Sequence, residues 1–186
     1  MPQSTVCLDF AEDVVPHLDA AYNLARWLTR NDQDAQDVVQ EAFMRAFRFL
    51  GSFRGGNVRA WVLRIVRNTC YTWLHQNRAQ HPMLEFDEKF FGPDPLTSTP
   101  EEALSRNDDC ALVRRALQDL PASHREVLIL RELEGMSYKE ISEIMDMPAG
   151  TVMSRLSRAR NGLRQSLANL GHHGTLSNSR RALAQS

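Results

Sequence analysis

The sequence is poor in cysteine, with three in 186 residues, and Cys7, Cys70 and Cys110 lie too far apart to form a CxxC pair. Scattered thiols of this kind fit a reducing compartment, so a disulfide framework is not expected. No apolar run approaches the length needed to cross a bilayer, and the N-terminus lacks a basic-then-apolar signal pattern. We therefore expect a cytoplasmic protein without membrane insertion.

The motifs of common enzyme sites are also missing. The chain has no glycine-rich phosphate loop, no HExxH, no nucleophile elbow and no cluster of metal ligands. Six histidines are present, but the pair His172 and His173 falls in a polar tail where a metal site is not expected. The sequence therefore predicts no enzymatic activity, no cofactor and no bound metal.

What is present indicates two small helical domains. Hydrophobic content of 42% and charged content of 24% are ordinary for a globular protein, and 186 residues suffice for two domains. Apolar residues recur at helical spacing and no stretch has the alternation of a strand, which predicts an all-α fold. Residues 81–100 hold four of the eight prolines and are interpreted as a flexible linker between domains at 1–80 and 101–170. Residues 171–186 contain few hydrophobic residues, so this segment is expected to be disordered.

Charge is distributed in three blocks along the chain. Residues 42–84 contain seven arginines and no acid, and six arginines without an acid follow Asp146. Between them, residues 85–109 contain eight acids and two basic residues. This pattern suggests two phosphate-facing modules on an acidic connector that would itself avoid DNA.

The segment 137–164 predicts a helix-turn-helix. Ser137 and Glu140 have the spacing of a capping box, and Pro148 suits the first turn of a second helix. In that second helix Val152, Leu156, Ala159 and Leu163 fall on one side, Ser154, Ser157, Arg158 and Asn161 lie opposite, and Arg155 and Arg160 flank them. Such a face offers hydroxyl and guanidinium donors without a carboxylate, which suits the major groove of DNA. A solvated face of an ordinary helical hairpin is the alternative.

Two further helices carry candidate surfaces. On a helix over about 34–50, the side chains Asp37, Gln40 and Glu41 form one polar patch, while Phe43 and Phe47 are among the residues expected on the buried side. Asn57 is expected to cap a helix reaching about Asn77, with Arg59, Arg64 and Arg67 on its surface. Towards its end Asn68, Tyr71 and Trp73 could hold unstacked bases, although composition alone favours aromatic rings that only cover the core. Pro121 is expected to open another helix through Glu134, with a second capping box formed by Ser123 and Glu126.

Three segments together resemble the extracytoplasmic-function (ECF) branch of the bacterial sigma-70 family of RNA polymerase sigma factors. The segment DAQDVVQEAFMRAFRFLGSFRG is similar to the family's region 2 core-binding segment. The segment NVRAWVLRIVRNTC is similar to its −10 helix, and LPASHREVLILRELEGMSYKEISEIMDMPAGTVMSRLSRAR to region 4. The resemblance implies a region 2 three-helix bundle and a four-helix region 4, and it covers the chain from about Pro16 to Leu167.

The resemblance also implies roles for single residues. It assigns contact with the β′ subunit of core polymerase to Asp37, Gln40 and Glu41. It assigns the −10 element to Asn68, which would take a flipped base, with Arg64, Arg67, Tyr71 and Trp73 beside it. It assigns the −35 element to Thr151, Ser154, Arg155, Ser157, Arg158 and Arg160. Met153 stands where many relatives carry a basic residue, and Ser157 where some carry a bulky one, so a distinct −35 preference is expected.

The resemblance therefore implies an alternative sigma factor that binds core RNA polymerase through its β′ and β subunits, recognises promoter DNA and is held inactive by an anti-sigma factor. Two other classes remain as alternatives. A stand-alone regulator using only the helix-turn-helix would leave the patch around Asp37 and the region around Asn68 without a role. A sigma-like decoy that binds a regulator instead of DNA predicts a degraded basic face, whereas both basic blocks are intact.

Overall fold

The structure is a computed structural model that describes residues 8–77 and 104–183, with side chains described for 8–77 and 111–170. All regular structure in these ranges is helical, which confirms the all-α prediction. The seven α-helices are α1 (Leu18–Thr29), α2 (Asp32–Phe49), α3 (Val58–Gln76), α4 (Leu104–Gln118), α5 (Ala122–Leu128), α6 (Tyr138–Met145) and α7 (Ala149–Leu183). The predicted linker 81–100 and Cys7 lie outside the described residues. Within the described part of the chain, no helix is long and apolar enough to cross a membrane.

Helices α1 to α3 form the N-terminal unit, a three-helix bundle as predicted. α1 is followed by Arg30, which adopts a left-handed conformation with φ of 61°. Asn31 then caps α2 by accepting hydrogen bonds from the amides of Gln33 and Asp34. Asn57 caps α3 through a 3.1 Å hydrogen bond from the amide of Ala60, which confirms the predicted cap. The buried core of the bundle includes Leu24, Leu28, Val38, Val62, Leu63 and Val66.

Helices α4 to α7 form the C-terminal unit, which contains the helix-turn-helix. A π-helical turn, Ile129–Leu133, continues α5 until Gly135 ends it with φ of 65°, a conformation that glycine adopts without strain. The capping box of α6 is present as predicted: the Ser137 amide donates to Glu140 over 2.6 Å, and the Glu140 amide donates to the Ser137 hydroxyl. α6 ends at Met145, Asp146 follows it in the left-handed region, and α7 begins at Ala149.

The second predicted capping box was wrong. Pro121 precedes α5 without a side-chain cap, so Ser123 and Glu126 do not form the predicted pair. The reason is that Glu126 lies on the second turn of α5 and is directed at α3. The end of α7 also differs from the expected disordered tail, because its backbone continues as helix through Leu183. No proline interrupts this stretch.

The two units pack against each other, which the sequence did not predict. α3 lies against α6, and α1 lies against α5 and the π-helical turn that follows it. The buried apolar residues of both units belong to one contiguous cluster. The side of α3 that carries Arg59 and Arg67 is therefore turned towards the C-terminal unit.

Candidate nucleic-acid interface

The helix-turn-helix presents the polar face of α7 to solvent. Val152, Leu156 and Ala159 are completely or almost completely buried, which fixes the rotation of the helix. The opposite side chains are exposed, as predicted, and form the reading face, defined here as Ser154, Ser157, Arg158 and Asn161. Hydroxyl, amide and guanidinium groups can all donate to base edges or phosphates.

The flanks of the reading face differ from one another. Arg155 is half-buried, whereas Arg160 is exposed and makes a 2.6 Å ion pair with Glu132, whose hydrogen bond raises the pKa of Arg160. Thr151 is exposed, and its main-chain carbonyl accepts a 3.0 Å hydrogen bond from the Ser154 hydroxyl. Met153 is 51% exposed, so an uncharged side chain stands at the edge of this surface.

On α3 the predicted −10 residues are divided between solvent and the C-terminal unit. Asn68 and Arg64 are exposed. Arg67 and Tyr71 instead point at α5, where the Arg67 Nε donates to the Glu126 carboxylate over 2.5 Å and the Tyr71 hydroxyl donates to it over 3.0 Å. The guanidinium of Arg67 also lies 4.7 Å from the centre of the Tyr71 ring.

Burial of these groups changes their acidity. Glu126 is 1% exposed, and burial raises the pKa of its carboxyl group, while the nearby charge of Arg67 opposes that rise. Burial also raises the pKa of Tyr71, and the adjacent Glu126 carboxylate adds to the effect. Tyr71 therefore stays a neutral hydrogen-bond donor at physiological pH.

The expectation that Arg59 and Arg67 lie on the free surface was wrong. The Arg59 side chain pairs with the Glu134 carboxylate over 2.5 Å and donates to its carbonyl over 2.8 Å. These arginines are covered because the two units pack against each other, and the spacing of residues within α3 cannot predict that packing. Trp73 is half-buried against the core, as the core-covering alternative for the aromatic residues predicts.

The patch on α2 is open to solvent. Asp37 and Gln40 are exposed, and Glu41 is half-exposed and accepts a 2.7 Å hydrogen bond from Arg45. Met44, one turn further along, is 44% exposed and extends the patch with apolar surface. Sequence reasoning missed Met44, although it lies four residues after Gln40 on a helix whose buried stripe is complete without it.

Phe47 corrects another expectation, because it is 63% exposed instead of buried. Its ring packs edge-on against Phe10, with 5.2 Å between the ring centres. Exposed aromatic and thioether side chains next to polar groups are typical of surfaces that bind other proteins. The α2 surface therefore has the composition of a protein-binding site.

Other chemistry is not built into the described residues. No group of three or more histidine, cysteine, aspartate or glutamate side chains among them could hold a metal ion. Cys70 is a free, buried thiol, and burial raises its pKa to about 12. Since thiolate is the reactive form, Cys70 is inert at neutral pH.

Comparison with known families matches both helical units. The family profile described as Sigma-70 region 2 matches residues 14–80, and the profile described as Sigma-70, region 4 matches residues 110–163. Similar curated proteins include the RNA polymerase sigma-H factor of Pseudomonas aeruginosa, 40% identical over 73% of this chain and 74% of the relative. The ECF RNA polymerase sigma-E factor of Escherichia coli is also 40% identical, over 70% of this chain and 72% of the relative.

Two solved structures share the arrangement of helices. The sigma factor RpoE of Bartonella quintana, solved in complex with the anti-sigma factor NepR, has 29% sequence identity and a TM-score of 0.68. That similarity covers 86% of this chain and 97% of the neighbour. CnrH, solved in complex with the cytosolic domain of CnrY, has 26% identity and a TM-score of 0.62 over 86% of this chain and 88% of the neighbour.

Proposed function

The chain belongs to the extracytoplasmic-function branch of the sigma-70 family of RNA polymerase sigma factors, and from this membership we propose how its residues divide the work of initiation. It is an alternative sigma factor. We assign core binding and the −10 element to residues 1–80, a linker to 81–100, and the −35 element to 101–170. The observation that carries this division is that the region 2 and region 4 profiles match in order, one on each helical unit.

Core RNA polymerase binds the α2 patch in this proposal. The resemblance points to the β′ subunit as the partner of Asp37, Gln40 and Glu41. Support comes from the exposure of Asp37 and Gln40 and from the neighbouring apolar surface of Met44 and Phe47. A polar patch bordered by exposed apolar groups offers both specificity and buried area to a partner. We assign contact with the β subunit to surfaces of the chain other than the α2 patch. The proposed function also places the protein in the cytoplasm, together with the polymerase.

The −10 element is bound by α3 in this proposal. Asn68 takes an unstacked base, which its exposed amide can recognise through one donor and one acceptor. Arg64 and Arg67 bind phosphates, and Tyr71 and Trp73 provide ring surface at the end of the helix. Strand opening then exchanges base stacking for protein contacts.

The −35 element is bound by α7 in the major groove. The solvent exposure and acid-free composition of the reading face support this role for Ser154, Ser157 and Arg158. Thr151, Arg155 and Arg160 lie at its edges and contact the DNA backbone. Linking the two units through the polymerase raises the effective concentration of each at its element, so neither must bind DNA tightly alone.

An anti-sigma factor is the proposed regulator of the chain. Both solved neighbours described above were captured as complexes, RpoE with an anti-sigma factor and CnrH with the cytosolic domain of CnrY. The high coverage of those neighbours supports a comparable partner here. Its identity is a matter for capture experiments with the full chain.

Run-off transcription with purified core polymerase tests the proposed function. Mapping transcription start sites after overexpression of this chain would identify promoters for the template, because the sequences upstream of the start sites define both promoter elements. We expect initiation from these promoters only when core polymerase and the chain are both present. Binding to duplex DNA without initiation would instead support a stand-alone regulator. Neither activity, together with specific capture of an anti-sigma protein, would support a decoy.

A further inference from the structure

Carboxylates of the C-terminal unit pair with the basic side of α3, closely at two arginines and loosely at the exposed Arg64. Each of the three arginines of α3 faces one of them. The pairs are Arg59 with Glu134 at 2.5 Å, Arg67 with Glu126 at 2.5 Å, and Arg64 with Asp146 at 3.8 Å. At the start of the helix the Asn57 amide donates to the Glu140 carboxylate. We call this packing of α3 against the C-terminal unit the closed arrangement.

The position of Glu126 is explained only by α3. Its carboxylate is buried in the interface, and both of its side-chain partners, Arg67 and Tyr71, come from the other unit. A buried carboxylate is strongly unfavourable without such partners. If the units separated, water would solvate Glu126, while Arg67 and Tyr71 would be left with free donors.

Those free donors could bind the phosphates of the −10 DNA strand, which is the ligand proposed for α3 above. An arginine fork that binds a carboxylate binds a phosphate with the same donors and similar geometry. In the closed arrangement the Arg67 side chain is 19% exposed, and its guanidinium lies over the Tyr71 ring. A nucleic-acid strand therefore meets neither the guanidinium fork nor the open face of that ring.

We infer that the basic surface of α3 has two mutually exclusive occupants: the carboxylates of its own C-terminal unit, and a single DNA strand. Glu126 and Glu134 stand where strand phosphates bind when the units separate, so the closed arrangement is autoinhibitory for the −10 half of promoter recognition. This inference rests on the proposed function only where it takes α3 as the −10 helix.

The −35 half is not inhibited in the same way. Ser154, Ser157 and Arg158 are exposed in the closed arrangement, and no carboxylate of the N-terminal unit pairs with them among the described residues. The free chain is therefore expected to present the −35 face while masking Arg67 and Tyr71 of the −10 face, whose Asn68 and Arg64 stay exposed. Its apparent affinity for a single strand is lowered by the fraction of molecules that are open.

The test compares the full-length chain with its Glu126→Gln variant. Glutamine keeps the shape of the side chain but removes the charge that holds Arg67. The probe is a fluorescent single-stranded DNA of about 15 nucleotides with random sequence, because phosphate contacts do not require a particular sequence. Small-angle X-ray scattering of the same samples reports whether the units separate.

We expect Glu126→Gln to bind the single strand about tenfold more tightly than the unaltered chain, with a larger radius of gyration. Adding Arg67→Ala to this variant should remove the gain. Glu143→Gln is the matched control, because it removes an exposed carboxylate of the C-terminal unit that lies on α6. The control should change neither the radius of gyration nor the affinity for the single strand.

An unchanged strand affinity in a folded Glu126→Gln variant overturns the inference. If that variant does not fold, Glu134→Gln decides, because it releases Arg59 at a second contact between the units. Run-off transcription separates this result from the proposed function. Initiation by the unaltered chain with no gain in strand binding refutes only the autoinhibition, whereas a gain in strand binding without initiation refutes only the sigma activity.

Discussion

The Nη1 atom of Arg125 donates a 2.8 Å hydrogen bond to the main-chain carbonyl of Trp27, 98 positions earlier in the sequence. Its other nitrogens donate to the carbonyls of Leu117, Gln118 and Leu120, at 3.1, 3.4 and 2.9 Å. Burial lowers the pKa of Arg125, and the nearby charge of Arg30 lowers it further. One guanidinium thus joins the turn between α4 and α5 to α1 of the other unit.

Arg125→Lys should destabilise the fold by about 2 kcal/mol. A lysine ammonium is a point donor that cannot span four carbonyls, and each buried carbonyl left unpaired costs about 1–3 kcal/mol. Urea unfolding followed by circular dichroism measures the change as a lower midpoint. Arg131→Lys is the control, since Arg131 donates to one carbonyl, that of Met136, over 2.8 Å. Equal losses in the two variants would contradict the bridging role.

Glu140→Gln should destabilise the protein in a pH-dependent way. The Ser137 hydroxyl and amide hydrogen bonds hold the pKa of Glu140 below its ordinary value. A carboxyl group with a lowered folded-state pKa stabilises the fold fully above its ordinary pKa, and this contribution is lost as pH falls through the lowered value. The variant should therefore be less stable by about 1 kcal/mol at neutral pH, and the difference should vanish in acid.

Unfolding in urea at a series of pH values measures this difference. Glu143→Gln is the matched control, because Glu143 is an exposed carboxylate on the same helix. Its substitution should change stability little at any pH. A loss for Glu140→Gln that stays constant into acid would show that the carboxylate charge is not what stabilises the start of α6.

Local chemistry accounts for what the sequence predicted well. The cap at Asn57, the capping box of Ser137 and Glu140, and the buried stripe of α7 each depend on residues within a few positions of one another. The spacing of the buried residues of α7 was therefore enough to predict which of its side chains form the reading face. The two-unit helical fold followed from the same local signals and from the prolines between the units.

Contacts between the units account for what the sequence did not predict. Arg67 and Glu126 are 59 positions apart, and Arg59 and Glu134 are 75 apart. No spacing rule for single helices connects residues at such distances. The same contacts explain why Glu126 failed as a capping residue and why Arg59 and Arg67 are not at the free surface.

Asp37→Ala should weaken binding to core polymerase about tenfold, which corresponds to about 1.4 kcal/mol. The expected cause is the loss of a charged contact from the exposed α2 patch, whose removal leaves the partner's group unpaired. Fluorescence anisotropy of labelled chain titrated with core polymerase measures the affinity. Asp19→Ala, which removes an exposed carboxylate from α1, should leave it unchanged. Equal weakening by both would mean that only net charge matters.

Asn68→Ala should reduce discrimination at the −10 element by about tenfold without weakening core binding. An amide that recognises a base edge contributes about 1–3 kcal/mol of discrimination, and alanine removes both its donor and its acceptor. Competition between the matched and a mismatched −10 strand, carried out with the holoenzyme, measures the ratio. Gln76→Ala, at the exposed end of α3, is the control. A parallel loss of core affinity would refute the assignment of Asn68.

Arg158→Ala should weaken −35 binding and also change how that binding depends on salt. Each phosphate contact contributes about 0.9 to the slope of log affinity against log salt concentration on duplex DNA. If Arg158 binds the backbone, the variant's slope should be shallower by about that amount, and the weakening should be similar for different −35 sequences. If it reads a base instead, affinity should fall mainly for the matched sequence while the slope changes little. Titrations of −35 duplexes at several salt concentrations separate these outcomes, with Arg54→Ala, which removes an exposed arginine of the N-terminal unit, as the control. An Arg158→Ala variant that equals the control in both affinity and slope would remove Arg158 from the interface.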